Sequence, residues 1–114
     1  MTSVLKTEAM KLTAFSIFLM FMVSCATLDK ESSMQYSEGR YKIGVGYYSE
    51  GKVQMAFVEF QHAIEFNPLN KEALNWIGII YLLDFDEILK AIDFFQRAVK
   101  IDPDYSDAYN NLGY

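Results

Sequence analysis

The sequence predicts an all-α protein built as a stack of antiparallel helix pairs, and three observations support this prediction. A segment occurs twice, with Gly44 and Gly78 separated by 34 residues and Pro68 and Pro103 by 35, a period typical of helical solenoids. Apolar residues within each copy recur at three- and four-residue steps, the spacing of one helix face. Each copy ends in Asn-Pro or Asp-Pro, where proline stops a helix.

The first 24 residues are predicted to form the helix of a signal peptide. Residues 12–23 carry no charge, Lys6 and Lys11 precede them, and small residues follow. About 20 apolar residues are needed to cross a bilayer, so this run is short for a span and fits the apolar region of a secretory signal. A single-pass anchor and a buried helix are the alternatives, and either Met1 or Met10 is the initiator.

Cys25 is the only cysteine in the chain, so it cannot form an intramolecular disulfide. The stretch Met22-Val23-Ser24-Cys25 resembles the lipobox of bacterial lipoproteins, with Met22 where that family usually has Leu. The resemblance implies cleavage before Cys25, a diacylglyceryl group on its thiol, and an anchored protein of the bacterial cell envelope. Ala26 implies sorting to the outer membrane, facing the periplasm. Ordinary signal cleavage after Ala26, releasing a soluble periplasmic protein, is the alternative.

The chain after the signal is divided by its polarity and its repeats. Residues 25–35 are polar and lack apolar periodicity, so we expect a flexible tether. Residues 36–69 and 70–104 form two complete repeats, and residues 105–114 begin a third. Because this third unit stops early, we expect a truncated chain, either a natural short form or a fragment, with marginal stability alone.

Six positions of the first repeat recur in the second, as Gly44 and Gly78, Tyr47 and Tyr81, Ala56 and Ala91, Phe60 and Phe95, Ala63 and Ala98, and Pro68 and Pro103. This pattern resembles the tetratricopeptide repeat (TPR), a 34-residue helix–turn–helix unit. The resemblance implies a solenoid of two full repeats and the start of a third, preceded by the signal-peptide helix. The small residues should let paired helices approach, and the large aromatic residues, Trp76 included, should fill the space between units. A place at the rim is the alternative for Trp76.

Two departures from the TPR pattern carry structural expectations. Arg40 occupies the bulky first position of repeat one, and repeat two has one additional residue between Tyr81 and Ala91. We expect that insertion to lengthen the turn around residues 84–86.

The resemblance also implies a partner-binding groove lined by the first helix of each unit. The groove-facing positions are Tyr41, Val45, Tyr48, Asn75, Ile79, Leu82 and Asn110, together with the acidic residues Glu38, Glu72 and Asp107. Chaperone-binding members clamp a peptide carboxylate with lysines and asparagines at positions that Glu38, Val45, Glu72 and Ile79 occupy here, so that clamp is absent. We expect the face to accept an apolar or aromatic helix or strand flanked by basic residues. Packing of these side chains inside the domain is the alternative.

The residues do not favour catalysis. His62 is the only histidine and lies far in sequence from Cys25, so no metal-ligand spacing exists. Residues 44–46 lack the third glycine and the preceding strand of a dinucleotide loop, and the acids at 84, 86 and 87 are most simply a solvated turn. We therefore expect no enzyme, cofactor, metal or small-molecule substrate. The formal net charge of −5 disfavours nucleic acid as a partner.

The sequence therefore predicts a membrane-anchored periplasmic adaptor. Its expected partners are a protein or peptide client in the groove and the membrane through the lipidated N-terminus. Lipid-anchored TPR proteins resemble the pilotins that help the type IV pilus secretin assemble in the outer membrane, and also lipoproteins that scaffold peptidoglycan enzymes. The alternatives are the N-terminal part of a longer enzyme and a non-functional truncated fragment.

Overall fold

The computed structural model describes residues 2–113, with side chains from Glu8 onward except that of residue 28, and it confirms the all-α prediction. Five helices follow one another, and residues 2–113 contain no strand. Met1 and Tyr114, where expectations about the chain ends fall, lie outside the described residues. The chain divides into two compact units between Ser32 and Ser33. The helices are α1 (Thr2–Ser49), α2 (Val53–Phe66), α3 (Lys71–Leu83), α4 (Ile88–Ile101) and α5 (Ser106–Leu112).

The first unit consists of the part of α1 up to Ser32. Its large apolar side chains between Met10 and Val23 are 48% to 73% exposed. The hydroxyl of Thr13 donates to the carbonyls of Ala9 and Met10, so the helix satisfies this polar group internally. By length and composition α1 is able to cross a membrane, a test that a signal sequence also passes. None of the apolar window is buried. The signal peptide, the membrane anchor and the buried helix all stay predictions.

The structure gives helix, and not a flexible tether, through residues 25–35. This segment contains no glycine or proline. It is rich in residues with good helix propensity, such as Ala26, Lys30, Glu31 and Met34. Lack of apolar periodicity says only that a helix has no buried face, so it does not by itself predict irregular backbone.

The second unit contains the repeats as successive helix pairs. Residues 33–49 of α1 pair with α2. Helix α3 pairs with α4, and α5 opens the third unit. The turn in the first pair covers residues 50–52, and that in the second covers residues 84–87. The additional residue of repeat two is therefore accommodated in the turn, as expected. Both turns use a left-handed backbone, at Gly51 with φ 78° and at Asp86 with φ 55°, a conformation that glycine and aspartate tolerate best.

In both helix pairs, a phenylalanine ring lies against a glycine of the facing helix. A Cβ atom on Gly44 would come within 2.7 Å of Cε1 of Phe60, and one on Gly78 within 2.5 Å of Cε1 of Phe95. No side chain fits at such a distance, so the ring packs directly on the backbone of the first helix. The phenylalanine of one helix thus sets how closely the two helices of a repeat approach.

The buried core follows the repeat and continues from one unit to the next. The ring of Phe60 stacks on Trp76 of the following repeat, with centroids 5.7 Å apart and planes 9° apart. A second cluster joins Leu74 of α3, Ala98 of α4 and Ala108 of α5. The repeat-signature positions divide between the buried residues Gly44, Ala56, Phe60, Ala63, Gly78, Ala91, Phe95 and Ala98, the partly buried Tyr47 and Tyr81, and the exposed Pro68 and Pro103.

Buried polar groups join the first repeat to the second. The hydroxyl of Ser37 donates to the carbonyl of Ala63 at 2.7 Å, and the Asn70 amide donates to that hydroxyl at 2.9 Å. The side-chain oxygen Oδ1 of Asn70 accepts from the backbone N–H of Ala73 at 3.0 Å and so caps α3. Asn70 therefore links the start of α3 to the α1–α2 pair.

Arg40, which departs from the TPR pattern, is placed at the side of the same helix pair. Its guanidinium lies 3.1 Å from the Glu59 carboxylate and 5.6 Å from the centroid of the Tyr36 ring. The arginine therefore replaces the bulky apolar residue with a charged contact between α1 and α2.

Replacing Gly78 with alanine should destabilise the repeat domain, because the new methyl group displaces the ring of Phe95. Overpacking a core costs about 1–3 kcal/mol, and the better helix propensity of alanine returns only about 0.5–1 kcal/mol. We expect a net loss of roughly 1–2 kcal/mol, measured by urea unfolding followed through Trp76 fluorescence.

Gly46→Ala is the matched control, because nothing lies within 4 Å of a Cβ added there. It should stabilise the domain by about 0.5–1 kcal/mol through helix propensity alone. The same change in stability for both variants would contradict the proposed glycine–phenylalanine contact.

Candidate binding cleft

A concave cleft of about 630 Å³ lies along α3, between residues of α1 and residues in and just before α5. We call it the binding cleft. It is formed by the first helices of the units, as the repeat pattern leads one to expect. Its lining residues are Tyr41, Glu72, Asn75, Trp76, Ile79, Tyr105, Asp107, Asn110 and Asn111.

Of the groove positions expected from the sequence, six lie in the binding cleft: Tyr41, Glu72, Asn75, Ile79, Asp107 and Asn110. Val45 and Tyr48 are partly buried against the core instead. The ring of Tyr48 lies 4.9 Å from that of Trp76, and its hydroxyl donates to Asp84 at 3.3 Å. Internal packing therefore accounts for both residues.

Two further expected groove residues also lie outside the binding cleft. Leu82 is partly buried near the end of α3 and does not line it. Glu38 is exposed one helical turn before Lys42, and its carboxylate lies 3.8 Å from that ammonium group.

Three lining residues were not among the expected groove positions: Trp76, Tyr105 and Asn111. Trp76 was expected between the repeats, and it does stack there on Phe60 while also reaching the cleft. Tyr105 precedes α5, so a rule that considers only the first helix of each unit overlooks it. The sequence did contain a signal for Tyr105: it directly follows Pro103-Asp104 and lies close in sequence to the expected groove residues Asp107 and Asn110.

The floor of the binding cleft is fixed by a hydrogen bond to Asn75. This residue is only 5% exposed. Its Oδ1 accepts from Nδ2 of Asn111 at 2.9 Å. A buried amide with its partners in place is held in one orientation. The cleft therefore has its shape before any partner arrives.

The electrostatic character of the binding cleft is negative. Burial, followed by the charges of Glu72 and Asp107, raises the pKa of Tyr105 to about 12. The lining contains no Lys, Arg or His. Lys71, the neighbour of Glu72, directs its ammonium group to Asp102 and lies 5.3 Å from the centroid of the Tyr105 ring. The ion pair of Lys71 is therefore formed outside the lining of the cleft.

The described residues hold no group of three or more His, Cys, Asp or Glu side chains able to bind a metal ion. His62 lies on α2 with Nδ1 3.2 Å from the Glu65 carboxylate, and both side chains are largely exposed. Cys25 is a free, exposed thiol in the first unit. The binding cleft presents amide and aromatic groups together with two carboxylates.

The chain matches no protein-family model. It is 40% identical over 62 residues to anaphase-promoting complex subunit 3 of Schizosaccharomyces pombe, a stretch that covers 54% of this chain and 9% of that protein. It is also 41% identical over 65 residues, 57% of this chain and 7% of the relative, to the probable UDP-N-acetylglucosamine–peptide N-acetylglucosaminyltransferase SPINDLY of Petunia hybrida. The chain therefore spans less than a tenth of the length of either relative.

Both relatives contain tetratricopeptide repeats. Together with the packed helix pairs, the similarity supports a TPR-like helical repeat, the kind of domain used as a scaffold for contacts between proteins. The similarity to these two relatives contains nothing specific to lipoproteins or to pilus assembly.

The variant Glu72→Gln should lower the pKa of Tyr105, because it removes a negative charge that opposes ionisation of the phenol. The measurement is a titration of the chain with ¹³C-labelled tyrosine, followed by NMR. Asp86→Asn removes the same charge in the α3–α4 turn and should leave the pKa of Tyr105 unchanged. An unchanged Tyr105 pKa in Glu72→Gln would contradict the electrostatic coupling across the cleft.

The same shift has a consequence for stability at high pH. The phenol has an ordinary pKa of 10.0 and a raised one in the folded chain. Its stabilising contribution is therefore fully present below pH 10 and is lost as the pH rises towards about 12.

Proposed function

We propose that this protein is a non-catalytic adaptor that binds a segment of another protein in the binding cleft. The observation that carries the proposal is the cleft itself, a preformed concavity on the first helices with a fixed amide floor. A surface that is ordered in advance loses little conformational entropy when it binds. The similarity to a named subunit of a multiprotein complex supports a role in contacts between proteins.

We also propose that acylation of Cys25 anchors the adaptor to the bacterial envelope, at the outer membrane facing the periplasm. The support is the lipobox-like sequence and the exposed thiol. Each buried methylene contributes about 0.8 kcal/mol, and one acyl chain holds only weakly, so stable attachment needs two or three. Anchoring would keep the binding cleft at a high local concentration near membrane-bound clients.

The narrower proposal for the client is the secretin of a type IV pilus during its assembly in the outer membrane. It rests on the combination of a lipid anchor with TPR units that the sequence predicts. A scaffold for peptidoglycan enzymes would use the same anchor and cleft, and the identity of the cross-linked client separates the two.

Site-specific photo-cross-linking in cells tests the adaptor role. A benzoylphenylalanine at Asn110, an exposed position in the binding cleft, should cross-link a defined client protein. The same residue at Gln96, an exposed position on α4, is the matched control and should give no such product. Identical products from both positions, or none from Asn110, would contradict client binding in the cleft.

Intact-mass analysis of the chain isolated from membranes tests the anchor. We expect a mature chain that begins at Cys25 and carries the mass of the acyl groups. Cys25→Ser should abolish both the added mass and the sedimentation with membranes, because serine has no thiol to acylate. A mature wild-type chain with an unmodified thiol at Cys25 would show that the anchor proposal is wrong.

A further inference from the structure

Two carboxylates line the binding cleft, and no Lys, Arg or His is among its lining residues. Glu72 and Asp107 line it from different helices. Neither carboxylate takes part in an ion pair among the side chains that the structure describes. Glu72 is partly buried, and a charge in a partly desolvated cleft acts more strongly than one in bulk water.

The cations nearest in sequence are already committed elsewhere. The side-chain hydrogen bond to Asp102 is the main cause of the raised pKa of Lys71. The guanidinium of Arg40 is held by Glu59 at 3.1 Å. Both cations are thus paired with carboxylates outside the cleft, although the charge of Glu72 also contributes to the raised pKa of Lys71.

The walls of the cleft suit the methylene stem of a lysine or arginine side chain. Ile79 and Trp76 supply apolar surface, and the amides of Asn75, Asn110 and Asn111 supply polar rim and floor. Lysine and arginine lay their methylene stems along apolar surface and keep the charged head at a polar edge. Charged hydrogen bonds to carboxylates are about twice as strong as neutral ones. An acidic segment would meet repulsion here instead.

We propose that the binding cleft recognises a partner segment through one lysine or arginine side chain, with its head at Glu72 and Asp107 and its stem against Ile79 and Trp76. This inference rests on the proposed adaptor function and names the chemistry of its client. The apolar or aromatic residues that the sequence leads one to expect in the client would flank the basic residue and cover the remaining walls.

A positional-scanning library of immobilised 12-residue peptides tests the inference, with the full chain kept in a nonionic detergent so that no charged lipid competes. The wild type should select lysine or arginine at one position. The best peptide should bind about tenfold more tightly than its glutamine-substituted version in fluorescence anisotropy. Raising the salt concentration should weaken only the basic peptide.

The variant that removes the charge is Glu72→Gln combined with Asp107→Asn. It should bind the basic and glutamine peptides equally. The matched control, Asp86→Asn with Asp93→Asn, removes the same charge at two exposed positions outside the cleft and should keep the preference. Trp76 fluorescence checks that each variant is folded. If the double variant unfolds, the single variant Asp107→Asn, at an exposed position, should by itself reduce the preference for the basic peptide over the glutamine peptide.

Each result decides between the two proposals. Selection of acidic or neutral peptides, or an unchanged preference in the cleft variant, would overturn the basic-residue inference and leave the adaptor function standing. If no peptide is selected and Asn110 gives no cross-link in cells, both proposals are wrong.

Discussion

Two aromatic rings, each packed on the backbone of the facing helix, are the contact on which the rest of the repeat domain depends. Phe60 and Phe95 occupy the space that side chains at Gly44 and Gly78 would need. This close approach sets the separation of the helices within a pair, and interiors are too densely packed to absorb a shift without loss. Because Phe60 also stacks on Trp76, the same ring fixes where the second repeat sits against the first.

The shape of the binding cleft follows from that stacking. Trp76 is held by Phe60 on one side and contacts Tyr48 on another, and its neighbour Asn75 accepts a hydrogen bond from the side-chain amide of Asn111. The cleft is thus a continuation of the core, ending in polar side chains whose hydrogen bonds are made within the domain. Glu72 and Asp107 form no ion pair among the described side chains.

The sequence by itself determined the helix pairs, because the repeat period, the apolar spacing and the proline positions depend on local backbone and side-chain preferences. The 34-residue offset placed Gly44 over Gly78, and the Pro68 and Pro103 positions set where α2 and α4 end. The insertion before Ala91 appeared in the turn, as expected, because a turn absorbs a residue without disturbing packed faces. Periodicity failed for residues 25–35, where helix propensity without a buried face still gives helix.

Only the tertiary structure decided which of the groove positions reach the binding cleft. Val45 and Tyr48 share a helix face with Tyr41, and all three pack in part against the core, yet of the three only Tyr41 lines the cleft. Tyr105 enters the cleft from the segment before α5, and the Asn75–Asn111 bond joins residues 36 positions apart. Such contacts depend on how whole helices stack, because a repeat pattern specifies each helix face but not the neighbour that covers it.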